Sequence, residues 1–158
     1  MATQKKQPKQ GQELLAADYL AAAEDLLAAI PALYIHGNHA LLIYTSGLSV
    51  ECMFRAYRMR KGLPFRSDHA LGPIAEEAGL PDLLPETDRE RYDAALATLI
   101  VGWRNLHRFR SKEAMRRFLK GLKLDRGIQG DFVKENARRI SSAAYDLVGL
   151  GVQRWQKQ

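Results

Sequence analysis

A single cysteine, Cys52, stands in a chain of 158 residues, so no internal disulfide can form and no thiolate cluster can bind a metal. This usage suits a reducing compartment, and a cytoplasmic protein is expected. Long hydrophobic runs are missing too. The longest nearly apolar stretch, ALLIYTSGLSV at 40–50, is well short of the ~20 residues that span a bilayer. The opening MATQKKQPKQG is basic and polar with no apolar core behind it, so it reads as a disordered tail over 1–11 and not as a signal peptide. No glycine-rich phosphate loop, nucleophile elbow or alternating strand pattern occurs. His36 and His39 in YIHGNH are three apart around a Gly-Asn turn, without a further Cys, His or carboxylate cluster. No metal site and no cofactor are therefore expected.

What is present is charge, unevenly placed. Residues 1–102 hold 10 Lys/Arg against 13 Asp/Glu, a balance of −3, and residues 103–158 hold 14 against 5, a balance of +9. The sum is +6. Such asymmetry suits a surface for phosphate groups, a dock for an acidic partner, or a solvated basic face.

The apolar residues recur at helical spacing. A first helix is expected over 12–29, with Leu15, Tyr19, Ala22, Leu26 and Ile30 as its stripe. Pro31 should end or kink it, because proline brings no N–H to the ladder. A second helix is expected from Asn38, as N-cap, to about Lys61, with Gly62 closing it. Its first half is apolar on most sides, which predicts the central helix of a bundle. Ser46, Gly47 and Ser49 would let a neighbouring backbone approach closely. Within 65–86, Pro73 at a first helical position and Gly79 just past the end frame one short helix. A third long helix is expected over 86–109 with Tyr92, Leu96, Leu99, Trp103 and Leu106 inward. A short basic helix over 112–121 turns Met115, Phe118 and Leu119 inward, and a last helix covers 131–155. Its stripe is Val133, Ala137, Ile140, Ala144, Leu147 and Gly151. The fold class is all-α, an up-and-down bundle of four to five main helices with a short linker helix.

One carboxylate interrupts the apolar second helix. In GLSVECMFRAYRMRKG, Glu51, Arg55 and Arg58 share a face at i, i+4 and i+7. They form either an exposed ion-pair row or a partly buried site where Glu51 meets cations of the third helix. Arg104, His107 and Arg108 share a face there.

These residues also carry a resemblance. GLSVECMFRAYRMRKGLPF resembles the second helix of HEPN domains, through Glu51, Cys52, Arg55 and Ala56. SDHALGPIAEEAGL is similar to that family's HDL…L…AGL segment through His69, Leu71, Ala78, Gly79 and Leu80. WRNLHRF resembles the end of its third helix through Trp103, Arg108 and Phe109. The resemblance covers roughly residues 12–110 plus a last helix, and makes residues 12–158 one HEPN-like domain. It implies a helical bundle that often dimerises. It also implies a role among RNA-cutting toxins, nucleotide-associated modules and noncatalytic binding domains, some of them beside nucleotidyltransferase partners. The catalytic members use an Arg followed by His after four to six intervening residues. Here the nearest pairs, Arg66 with His69 and Arg104 with His107, have only two residues between them.

The expectation is thus a noncatalytic module, with a divergent metal-independent ribonuclease using Arg104 and His107 as the alternative. Its partners would be a second copy of itself, RNA or a nucleotide, or an acidic or nucleotidyltransferase-type protein, and not a membrane. RNLHRFRSKEAMRRFLKGLKLDR is the strongest binding segment. Candidate binding residues are Glu51, Arg55, Arg104, Arg108, Arg110, Arg116, Arg117 and Lys120, with Phe109 and Phe118 interleaved. His69 is expected to lock its linker against the bundle.

Overall fold

Alanine-rich sequence with high helix propensity gives α1 (Ala16–Ile35), in a computed structural model that describes residues 14–158. The expected tail at 1–11 and the expected start of the first helix at 12 lie outside the described residues. The Asp18 carboxylate accepts the Leu15 N–H at 2.7 Å, satisfying one orphan donor at the helix start. Pro31 does not end α1, which runs on to Ile35. Its missing N–H leaves the Leu27 carbonyl without a ladder partner, and the Tyr145 hydroxyl donates to that oxygen at 3.1 Å. The buried stripe is Leu20, Ala23, Leu27 and Ile30. Only Ile30 belongs to the expected register, and Leu15 is exposed.

Gly37, at φ +71°, turns the chain into α2 (His39–Arg60). Asn38 precedes the helix as expected but makes no side-chain cap, while Gly62 closes the far end at φ +73°. α2 packs against α1, α3 (Leu71–Ala78) and α6 (Phe132–Trp155), and so is the central helix. Leu42, Ile43, Val50, Met53 and Phe54 are fully buried along it. Pro73 falls third in α3, not first, and Gly79 ends that helix at φ +67°. A 3₁₀ turn (Leu80–Leu83) leads to α4 (Glu86–Gly102). A second 3₁₀ turn (Asn105–Phe109) and α5 (Lys112–Gly121) precede α6. Ser111 caps α5 and Asp131 caps α6 through side-chain oxygens. The expected stripe of α6 is wholly buried. The fold is an all-α bundle, with no strand among the described residues.

The third long helix is shorter than its sequence pattern predicts. It stops at Gly102, and Trp103 and Arg104 are extended. A Cβ on Gly102 would lie 2.7 Å from Ile140 Cδ1, so a larger residue there would oblige the end of that side chain to move. Trp103 then turns its indole onto α2, where Nε1 donates to the Tyr44 carbonyl at 3.0 Å. Leu106, expected in the core, is exposed.

Gly47 makes room for that indole. A Cβ built on it would fall 2.1 Å from Trp103 Cδ1. The neighbour that approaches is therefore a side chain and not a backbone; Ser46 and Ser49 bond carbonyls of their own helix. Gly47→Ala gains about 1 kcal/mol in helix propensity but drives the ring from its seat. A net loss of about 2 kcal/mol is expected in urea unfolding, with tryptophan emission shifted to the red. Unchanged stability and emission would show that the indole does not depend on this gap.

Candidate functional site

Three arrangements bring charged side chains together. The first surrounds Glu51. Its carboxylate is 2 % exposed, so the exposed-row reading does not hold. Arg55 Nε donates to Glu51 Oε1 at 2.7 Å, and His69 Nδ1 stands 2.9 and 3.0 Å from the two carboxylate oxygens. The remaining Arg55 nitrogens donate to the carbonyls of Arg66 at 2.5 Å and Asp68 at 2.7 Å. Arg58 donates to Glu77 Oε2 at 2.5 Å and to the Pro64 carbonyl at 3.1 Å. Arg66 joins Asp68 and Glu77, each at 2.7 Å. Glu77 and Asp68 are held below the usual carboxylate range, chiefly by hydrogen bonds from Arg58 and the Ala70 N–H respectively.

Glu51 is thus paired, but not with the cations expected. Arg55 and His69 replace Arg104 and Arg108. Glu51 and Arg55, expected among the binding residues, spend these hydrogen bonds inside the chain, tying residues 66–69 to α2. His69 sits where a linker lock would place it.

The second arrangement closes the end of α4. Arg104 Nη1 donates to the carbonyls of Ile100 at 2.7 Å, Val101 at 3.3 Å and Trp103 at 2.6 Å. The guanidinium thereby satisfies orphan C-terminal acceptors. His107 is 1 % exposed and packs edge-on against Phe118. Arg110 Nε lies 3.1 Å from its Nδ1, and the Gly102 carbonyl lies 2.9 Å from Nε2. A guanidinium only donates, so Nδ1 is the acceptor and Nε2 carries the hydrogen. Burial moves the His107 pKa down to about 4, with Arg110 and Arg104 adding to the shift and the Gly102 carbonyl opposing it. His107 is therefore neutral near pH 7. Both its nitrogens are occupied, leaving none to exchange a proton with a substrate.

The third is the basic segment. Residues 104–126 hold nine cations and two carboxylates, Glu113 and Asp125. Arg55, Arg58, Arg66, Arg91, Arg138 and Arg139 are all ion-paired. In contrast, no cation of 104–126 forms an ion pair among the described residues. Several lie over aromatic rings instead. Arg110 stands 4.7 Å and Arg104 5.7 Å from the Phe118 centroid, Arg108 stands 4.6 Å from Phe109, and Arg116 stands 4.7 Å from Phe132. Met115 and Leu119 are buried, which turns Arg116, Arg117 and Lys120 to the surface. Phe109 is 73 % exposed.

Chemistry elsewhere is sparse. Cys52 is half-buried and burial pushes its thiol up to about 11, so it is not a thiolate near neutrality. No group of three His, Cys, Asp or Glu able to hold a metal ion occurs among the described residues. His39 opens α2, buried beside Tyr34. No described helix is long and apolar enough to cross a membrane. No family model, curated protein or solved structure matches the chain.

What sequence reasoning missed is the break after Gly102 and the pairing of His69 with Glu51. The glycine itself was the available signal for the break, since glycine is common just past a helix end.

Proposed function

We propose that the protein is a noncatalytic HEPN-like module of the cytoplasm that binds single-stranded RNA through residues 104–126. The observation that carries this reading is the contrast in neutralisation. Arginines elsewhere are largely matched by carboxylates, whereas none of these nine cations forms an ion pair among the described residues. Unpaired surface cations release counterions on meeting a phosphate chain. Guanidinium groups stacked on rings keep their donor edges free for phosphate oxygens. An exposed Phe109 beside Arg108 offers a platform for a base, which an acidic protein would not require.

The test is binding of a fluorescent single-stranded RNA by the full chain and by the double variant Arg117→Glu, Lys120→Glu. These side chains are exposed and make no hydrogen bond among the described residues, so the fold should tolerate the change. Affinity is expected to fall about tenfold or more. RNA recovered intact with EDTA present fits the noncatalytic reading, and cleavage would refute it. Equal affinity of variant and parent would remove the basic face from the account. Salt-sensitive capture of an acidic protein without RNA binding would replace RNA with that partner. The proposal includes self-association, as the resemblance implies. Light scattering at micromolar concentration is expected to give twice the chain mass of 17.8 kDa, and a monomer would strike it out.

A further inference from the structure

His69 and Arg104 come from different parts of the chain yet line one groove of about 380 Å³, between the start of α3 and the end of α4. The Glu51 carboxylate only accepts, so His69 Nδ1 carries a hydrogen toward it, and the ring is held in one orientation. Nε2 is then the free edge of a ring whose side chain is 37 % exposed, and it has no partner among the described residues. Arg104 spends only Nη1 on the carbonyls of α4, leaving Nε and Nη2 for another acceptor. Leu71 and Gly72 line the same groove. No side chain caps α3, so their first-turn amides are donors in want of an acceptor.

We infer that this groove is a phosphate-binding subsite. The phosphate oxygens would meet the free nitrogens of Arg104 and the amides of Leu71 and Gly72, and His69 would close the groove with its outer nitrogen, Nε2. Arg104 also opens the basic segment, so the subsite continues the face on which the RNA-binding reading rests. It would seat one phosphate of a bound strand, either a backbone phosphodiester or a terminal phosphomonoester. Glu51 has a positioning role here: it fixes the ring and never touches the ligand.

The test titrates inorganic phosphate into the isotope-labelled full chain and follows the amide signals of Leu71 and Gly72. Both signals should shift saturably. His69→Asn keeps an N–H for Glu51 and removes the outer nitrogen, and it should weaken the titration about tenfold. Arg104→Gln should weaken it similarly, but this variant also removes the α4 cap, so His69→Asn is the deciding one. A shift that never saturates, or one equally strong in His69→Asn, overturns the subsite. A second arm compares RNA with a 5′-phosphate against the same strand with a 5′-hydroxyl. If His69→Asn weakens only the phosphorylated strand, the terminal phosphate is the ligand; if it weakens both, the backbone is. RNA binding that His69→Asn leaves intact while the Arg117, Lys120 reversal abolishes it sinks the groove alone. Phosphate binding without RNA binding sinks the RNA reading alone.

Discussion

Replacing Glu51 with alanine is expected to cost about 3–5 kcal/mol of unfolding free energy, the largest loss from any single exchange considered. The substitution leaves Arg55, 7 % exposed, as a buried cation without its counter-ion. A surface pair of the same residues would cost only about 0.3–0.5 kcal/mol. Burial decides between the two magnitudes. Glu51→Gln should cost less, because an amide oxygen can still accept from Arg55 Nε. The loss should also be regional. Arg55 holds the carbonyls of Arg66 and Asp68, so residues 63–70 should lose hydrogen-exchange protection before the core helices do. A urea-unfolding loss below about 1 kcal/mol for Glu51→Ala would show that the pair is effectively solvated.

Acid should weaken the fold through His107. The folded state holds its pKa at about 4, below the ordinary histidine value of about 6.5. As pH falls through that window the unfolded chain takes up a proton that the folded chain refuses. Stability contributed by the neutral ring is therefore intact above about pH 6.5 and is lost progressively toward pH 4. The difference of pKa corresponds to about 3 kcal/mol between pH 7 and pH 4. Glu135, held down to about 2 by hydrogen bonds from Arg138 and Arg139, adds a separate loss only below about pH 4.5. The comparison with His107→Gln isolates the histidine. The gap in unfolding free energy between the parent and this variant should narrow on acidification. Parallel pH profiles would mean that His107 is protonated as readily in the folded chain as in the unfolded one.

Much of the fold could be read from the sequence because its signals are local. Asp131 caps the last helix and the six expected stripe residues are buried, since a 3.6-residue period needs no knowledge of partners. Register on α1 was harder, because alanine occupies both faces of that helix and blurs its apolar side. Pro31 misled for a tertiary reason: the hydroxyl that takes the Leu27 carbonyl lies 118 residues further on.

The charged sites divide along the same line. An acid in an apolar stretch pointed to a buried Glu51, and its i+4 arginine is one real partner. The other partner depends on a loop folding back onto α2. No periodicity encodes that path. Treating Arg104, His107 and Arg108 as one helical face presumed that α4 continues past Gly102. It stops there, and Trp103 turns out of the helix into its seat at Gly47. The basic segment was legible as composition alone. That its cations are unpaired emerges only in three dimensions.

The salt dependence of RNA binding bears most directly on that unpaired face. The full chain should bind a single-stranded RNA with log K falling linearly in log salt, by about 0.7 for each phosphate engaged. With several of the nine cations in contact, a slope steeper than about −2 is expected, and the Arg117→Glu, Lys120→Glu variant should flatten it. Binding that ignores salt, or no binding at low salt, would contradict the account.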